Sequence, residues 1–387
     1  MRLVIAGGGT GGHLFPGLAL AEELLARGPE HAVLFMGARG GIEERIVPLH
    51  NYRLELLPSL KGGFFTVNAP RKAWQGVHGY LQARRAILQF NADAVVGLGG
   101  YACALPVMAS WGVEIPNMLL EQNVIPGRSN RWLAKFTNEI GVQFLEAARR
   151  FPNPRLVKHV GNPLRQKVLA KAAEATQRNT AQELRAEPTV LFLGGSQGAK
   201  AINDVAVKVW PKLKQAIPGV RVILISGRED EQRCVQAFAA SGVRGQVIPF
   251  TEAMEDIYAQ ADVVVSRAGA TAMAEIAAFA LPSILVPYPF AADNHQLENA
   301  KSFATRGAAV LMNQKGLEVE RLGQRVADAL LQPERRRKMA MAASAMAVPT
   351  AAKDVIDRLL ELAAAGRRSA TPPAQVVGAS SAAEKVA

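Results

Sequence analysis

Leu3-Val4-Ile5-Ala6-Gly7-Gly8-Gly9-Thr10-Gly11-Gly12-His13 opens the chain, and its reading decides the fold. Four aliphatic residues run straight into a glycine cluster, and the stretch from Leu18 to Leu25 suits a helix. Strand, glycine turn and helix in that order make a phosphate cradle. Glycine lets the backbone come close to an anion, and the free N–H groups at a helix start point at negative charge. The pattern returns mid-chain. Val190-Leu191-Phe192-Leu193 runs into Gly194-Gly195-Ser196-Gln197-Gly198-Ala199, and a helix-compatible stretch follows from Ala201 to Leu213. Two similar cradles predict two phosphate-binding α/β domains facing one cleft.

The rest of the chain alternates aliphatic runs with helical stretches, the mark of βαβ units and parallel sheets. Strands are expected near Leu3–Ala6, Ala32–Met36, Arg53–Leu57, Ala94–Val96, Asn117–Leu120 and Glu139–Val142. In the second half they are expected near Thr189–Leu193, Val220–Ile225, Gln246–Pro249, Val263–Ser266, Ser283–Val286 and Ala308–Leu311. Asp93-Ala94-Val95-Val96 and Asp262-Val263-Val264-Val265 read as equivalent positions of the two halves. Gly161-Asn162-Pro163 is a turn-forming triplet at the boundary. The expected division is 1–162, then 163–341. A C-terminal helix over 342–365 carries Val355, Ile356, Leu359, Leu360 and Leu362 and packs back across the junction. The Ala-, Ser- and Pro-rich stretch 366–387 reads as a disordered tail.

With 387 residues, 49% of them apolar, the chain can bury two cores. Two cysteines, Cys103 and Cys234, make no disulfide framework and suit a reducing compartment. The apolar stretch before the glycines is too short for a signal-peptide core, and no segment is long enough to span a bilayer. A net charge of +12 suits a phosphorylated or anionic partner. Between Arg53 and Phe90, the basic residues Lys61, Arg71, Lys72, Arg84 and Arg85 interleave with Phe64, Phe65, Trp74 and Tyr80. That mixture, with Trp111 nearby, fits contact with an anionic membrane surface through 61–85, or a core helix with a solvated basic face.

Six motifs occur in order: Gly8-Gly9-Thr10-Gly11-Gly12-His13, Gly97-Leu98-Gly99-Gly100-Tyr101, Glu121-Gln122-Asn123, Gly161-Asn162-Pro163-Leu164-Arg165, Gly194-Gly195-Ser196-Gln197-Gly198-Ala199 and Ser266-Arg267-Ala268-Gly269-Ala270. Together, from Leu3 to about Leu362, they resemble the MurG-type glycosyltransferases. The resemblance implies the GT-B architecture, two Rossmann-like domains with the active site between them. It also implies transfer of N-acetylglucosamine from UDP-GlcNAc to undecaprenyl-diphosphate-linked muramoyl-pentapeptide (lipid I to lipid II), with inversion, in peptidoglycan synthesis. The donor is expected on the second domain. The lipid-linked acceptor is expected on the first, at the cytoplasmic face of the inner membrane.

The sequence has no Asp-x-Asp, so no metal or other cofactor is expected. The leaving diphosphate is to be stabilised by helix-start N–H groups and Arg. His13, whose imidazole titrates near neutrality, is the candidate general base or acceptor-positioning group. By resemblance, Thr10, Gly11 and Gly12 contact phosphate, Asn123 and Gln296 the sugar, and the backbone at Thr251 the uracil. Arg165, just past the boundary, is expected to pair with the diphosphate or orient the donor, and Ser196 to donate to the donor phosphates. The run Ala270-Thr271-Ala272-Met273-Ala274-Glu275 opens a helix, and Glu275 is the candidate grip on both ribose hydroxyls. Two positions depart from the family pattern: Leu120 stands where His is usual, and His295 where Gln is usual. Rival readings are a UDP-GlcNAc 2-epimerase and an NAD(P)-dependent oxidoreductase. The second lacks an evident carboxylate after Met36 for an adenosine ribose. A nucleic-acid-binding role has no signature here.

Overall fold

The computed structural model describes residues 1–59, 69–181, 185–194 and 198–370. Seven strands make the first sheet: β1 Arg2–Ala6, β2 Ala32–Ala38, β3 Arg53–Leu57, β4 Ala94–Gly97, β5 Asn117–Glu121, β6 Glu139–Val142 and β7 Val157–His159. Their order is β3-β2-β1-β4-β5-β6-β7, parallel throughout. Six make the second: β8 Thr189–Leu193, β9 Arg221–Ile225, β10 Arg244–Ile248, β11 Val263–Ser266, β12 Ser283–Leu285 and β13 Ala309–Leu311. Their order is β10-β9-β8-β11-β12-β13, again all parallel. Helices cover both faces of each sheet, so the central strands are apolar along their whole length instead of alternating. Every residue of β4 and of β8 is buried.

The two halves repeat at atomic detail. Asp93 accepts the Arg2 N–H at 2.7 Å through Oδ2, and its own N–H donates to the Arg2 carbonyl at 2.8 Å. Asp262 treats Thr189 the same way, at 2.8 and 2.9 Å. Each aspartate therefore locks the strand it precedes to the first strand of its own sheet. Strand order reverses between β1 and β4, and between β8 and β11. In doubly wound sheets, ligands bind outside the carboxyl ends of the strands at such a reversal. The first glycine loop leaves its sheet there, and β8 ends at the second reversal just before Gly194.

Twelve strands lie where the sequence places them, within two residues at each end. β7 was not expected. Val-Lys-His is three residues long and largely exposed, and forms only the sheet edge, so it leaves no apolar run to read.

The chain passes from one sheet to the other at Gly161-Asn162-Pro163. Gly161 has φ +75°, and a Cβ there would stand 2.5 Å from the Val348 Cβ. Only glycine lets the outgoing and returning chain segments cross this closely. The returning segment ends in the helix Ala351–Ala370, which lies on the first sheet. Ala352, Val355, Ile356, Leu359 and Ala363 join Leu3, Ile5, Leu14, Leu18 and Val33 in one buried cluster. Arg27 reaches Asp357 at 2.6 Å, and Arg358 pairs with Glu139. The tail was expected to begin at Gly366, but the helix continues to Ala370, because its alanines and arginines are good helix formers. Residues 371–387 lie outside the described residues.

Candidate active site

The first glycine loop turns through Gly7, Gly8 and Gly9 (φ +81° at Gly9) into the helix Gly11–Leu25, with Thr10 as its extended N-cap. The amides of Gly11 and Gly12 open that helix and have no carbonyl within it to bond. The loop is not the empty cradle the sequence suggests. The Glu43 carboxylate, 1% exposed, accepts the Gly9 N–H through Oε2 and the Ala38 N–H through Oε1, each at 2.8 Å. Anion-binding capacity is therefore left at residues 10–12. Glu43 also follows β2, where a dinucleotide site would place its adenosine-ribose acid. Both its oxygens are engaged by backbone, so it is not poised for a ribose.

His13 sits on the first turn against Gly99 and Gly100, whose φ values of +96° and +76° fold the loop after β4 under the imidazole. Its Nδ1 lies 3.1 Å from Thr10 Oγ1. Burial, helped by the nearby His295 ring, pushes its pKa down to about 4. The imidazole is therefore neutral at physiological pH. If Nδ1–H donates to Thr10, the Nε2 lone pair is free to take a proton; in the other tautomer, Nε2 is a donor.

The opposite wall is the helix Ala270–Ala278, capped by extended Gly269. Thr271 Oγ1 donates to the Gly12 carbonyl at 2.9 Å, so the two helix N-termini meet tip to tip. Gln143 Nε2 donates to the Ala270 carbonyl at 3.1 Å, and Asn162 Nδ2 reaches Thr271 Oγ1 at 3.4 Å. The positive ends of two helix dipoles converge on one spot, a potential that favours a multiply charged anion.

Glu275 lies one turn into that helix. Burial raises its carboxyl pKa to about 7, with the neighbouring Tyr258 hydroxyl and Arg165 pulling down and Glu255 pushing up. Arg165 is 9% exposed and is not a surface ion pair. Its guanidinium lies 5.3 Å from the Phe15 ring centre on the first domain. It donates to the Glu252 carbonyl at 3.3 Å and stands 3.8 Å from Glu255 Oε2. Glu275 has no ion pair with Arg267, which instead donates to the carbonyls of Val286 and Pro287 and to Gln314.

Other sequence-chosen residues are already engaged. Asn123 Nδ2 donates to Glu121 Oε1 at 3.1 Å, and its Oδ1 accepts from Asn299 Nδ2 at 3.0 Å. Gln296 Oε1 accepts the Tyr288 N–H at 2.9 Å. Thr251 Oγ1 accepts the Ala253 N–H at 3.1 Å and caps its own loop. Ala272, Met273 and Ala274 complete the helix start. Ser196 lies outside the described residues.

Residues 3–142 match the glycosyltransferase family 28 N-terminal domain, and residues 189–355 match its C-terminal domain. A Geobacter sulfurreducens protein is 39% identical over 362 residues, 93% of this chain and 98% of its own length. It is named UDP-N-acetylglucosamine–N-acetylmuramyl-(pentapeptide) pyrophosphoryl-undecaprenol N-acetylglucosamine transferase. A protein of the same name from Anaeromyxobacter dehalogenans is 39% identical over 364 residues, covering 94% and 93%. The chain belongs to the MurG-type glycosyltransferases. The crystal structure of Acinetobacter baumannii MurG superposes with a TM-score of 0.73 at 27% identity, covering 93% of this chain and 99% of that one. A UDP-GlcNAc 2-epimerase from Neisseria meningitidis reaches 0.65 at 12% identity and shares the fold alone. The epimerase and oxidoreductase readings therefore give way to glycosyl transfer.

For a MurG-type transferase the sequence reading missed three groups. Glu43 follows Gly40-Gly41, a turn whose partner loop could not be known before folding. Asn299 lies on the same helix face as Gln296, three residues on. It bonds Asn123 and the Val124 N–H on one side and the Ala268 carbonyl on the other. Phe15 reads as core but reaches across the cleft to Arg165.

Proposed function

We propose that this chain transfers N-acetylglucosamine from UDP-GlcNAc to the muramyl C4 hydroxyl of an undecaprenyl-diphosphate-linked pentapeptide. The observation that carries the reading is the meeting of two helix N-termini at Gly12 and Thr271, since the reaction brings two diphosphates together. The donor diphosphate takes the starts of the helices Ala270–Ala278 and Lys200–Ala216. Glu275 holds the ribose, and the backbone at Thr251 meets the uracil. Arg165, fixed between Phe15 and Glu255, fronts the leaving phosphates. The acceptor diphosphate takes Thr10, Gly11 and Gly12 of domain 1–162. His13 takes the attacking hydroxyl's proton, its basicity restored by the arriving negative charge. Asn123 and Gln296 reach the sugar by exchanging their present partners.

Membrane contact runs through the helix Ala69–Gln89. Trp74 is 70% exposed, and Val77 and Leu81 stand out on the same side. The Gly112 turn packs against the Tyr80 hydroxyl, which sets exposed Trp111 beside them. Arg84, Arg85 and Lys135 are exposed around this stripe. Apolar side chains rimmed by cations suit the cytoplasmic, anionic face of the inner membrane. Among the described residues no helix is long and apolar enough to cross a bilayer. Phe64, Phe65 and Lys61 lie outside the described residues.

Purified protein given UDP-GlcNAc and a short-chain polyprenyl-diphosphate muramyl-pentapeptide should release UDP only when the acceptor is present. It should yield one disaccharide per UDP. Acceptor-independent UDP release, or an epimerised sugar, would overturn the reading. Co-sedimentation with anionic vesicles should fall in W74A/W111A; equal binding to neutral vesicles would remove the membrane role.

A further inference from the structure

Glu43 is a buried carboxyl that the reaction as drawn does not use, yet the backbone is built around it. Glycines at 8, 37 and 41 each leave a Cβ-sized space that this one side chain fills. A Cβ at any of them would come within 2.3 Å of its atoms. Gly37 and Gly41 have no positive φ that would itself require glycine. Its two oxygens join the end of β2 to the turn of the first glycine loop through the Ala38 and Gly9 amides.

We propose that Glu43 is a positioning residue that anchors the first glycine loop and sets where the acceptor diphosphate lands. This rests on the acceptor reading given above. By occupying the Gly9 N–H, the carboxylate removes that donor from the site. It pushes a bound anion toward the amides of residues 10–12 and so toward His13. A negative charge beneath an anion site weakens binding, so plain electrostatics predicts that neutralising Glu43 helps the acceptor bind. An anchor predicts the opposite consequence for turnover. Glutamine keeps the shape but offers one acceptor oxygen and one NH2, so either Gly9 or Ala38 must face donor against donor.

The test compares E43Q and G37A with wild type. In G37A the new methyl displaces an unchanged Glu43. Expected are a fall in kcat of about tenfold or more in each, UDP affinity within about twofold, and about tenfold faster amide exchange in the 3–14 segment. The double variant should lose little more than either single one, because both break the same contact. Unchanged kcat with faster exchange reduces Glu43 to a structural filler and overturns the proposal. So does tighter acceptor binding at unchanged kcat. If wild type itself transfers nothing, the substrate reading falls, and the exchange arm alone decides whether Glu43 holds the loop: wild-type rates in both variants would reject it.

Discussion

Glu275 offers the most exacting test, because on the proposed reading one half-buried carboxyl governs both nucleotide affinity and stability. To accept both ribose hydroxyls it must be ionised, and burial holds its pKa at about 7 in the free protein. With that value the ionised fraction is about 0.9 at pH 8 and about 0.1 at pH 6, so the Kd for UDP should rise about tenfold over that range. The nucleotide's own terminal phosphate titrates near pH 6, so the ratio of wild type to E275Q isolates the side chain. Isothermal titration from pH 6 to pH 8 should show E275Q binding UDP more weakly at pH 8, with the two curves converging at pH 6. Parallel curves would refute the reasoning. Stability runs the other way. Between the unfolded pKa of 4.5 and the folded value of about 7, the folded chain holds the extra proton. Stability therefore falls as pH rises through that window. Above it the partly desolvated charge costs on the order of 1–3 kcal/mol. E275Q should be more stable than wild type at pH 8 and lose that advantage below pH 4.5, as urea unfolding would show.

Three further outcomes are expected. His13→Asn should lower kcat by about a hundredfold or more in the acceptor assay, with UDP affinity on the opposite wall unchanged. Leu359→Ala should cost about 2–5 kcal/mol in chemical unfolding, because Leu359 is fully buried in the first domain's core. Gly161→Ala should cost about 1–3 kcal/mol and shift the midpoint of thermal unfolding, since it strains a positive φ and strikes Val348.

The architecture was legible because strand and loop chemistry are local. Leu3–Ala6 and Thr189–Leu193 announce buried parallel strands by composition alone, and the aspartates at 93 and 262 expose the repeat. β7 was hidden because a solvent-facing edge strand carries no hydrophobic signature. Within the cleft, loop positions such as Thr10–Gly12 and Ala270–Glu275 could be read from glycines and helix starts. Hydrogen bonding among distant polar residues could not. Nothing near Glu43 in sequence says that its carboxyl will sit under Gly9, and nothing near Asn123 points to Asn299. Those contacts exist only after the loops meet, so pattern reading shows neither that Glu43 takes the Gly9 N–H beside the phosphate-contact residues 10–12 nor that Asn123 already has Asn299 as a partner.

The helix Ala351–Ala370 belongs to the end of the chain yet completes the packing around Leu3 and Ile5, near its beginning. A ribosome therefore finishes the first half's interior only after it has made the second. Until then the early strands carry an open apolar face, exposed to chaperones and to self-association. A truncation before Val355 should leave both halves translated but the earlier one unsealed, so loss of a few terminal turns would be felt at the opposite end of the polypeptide.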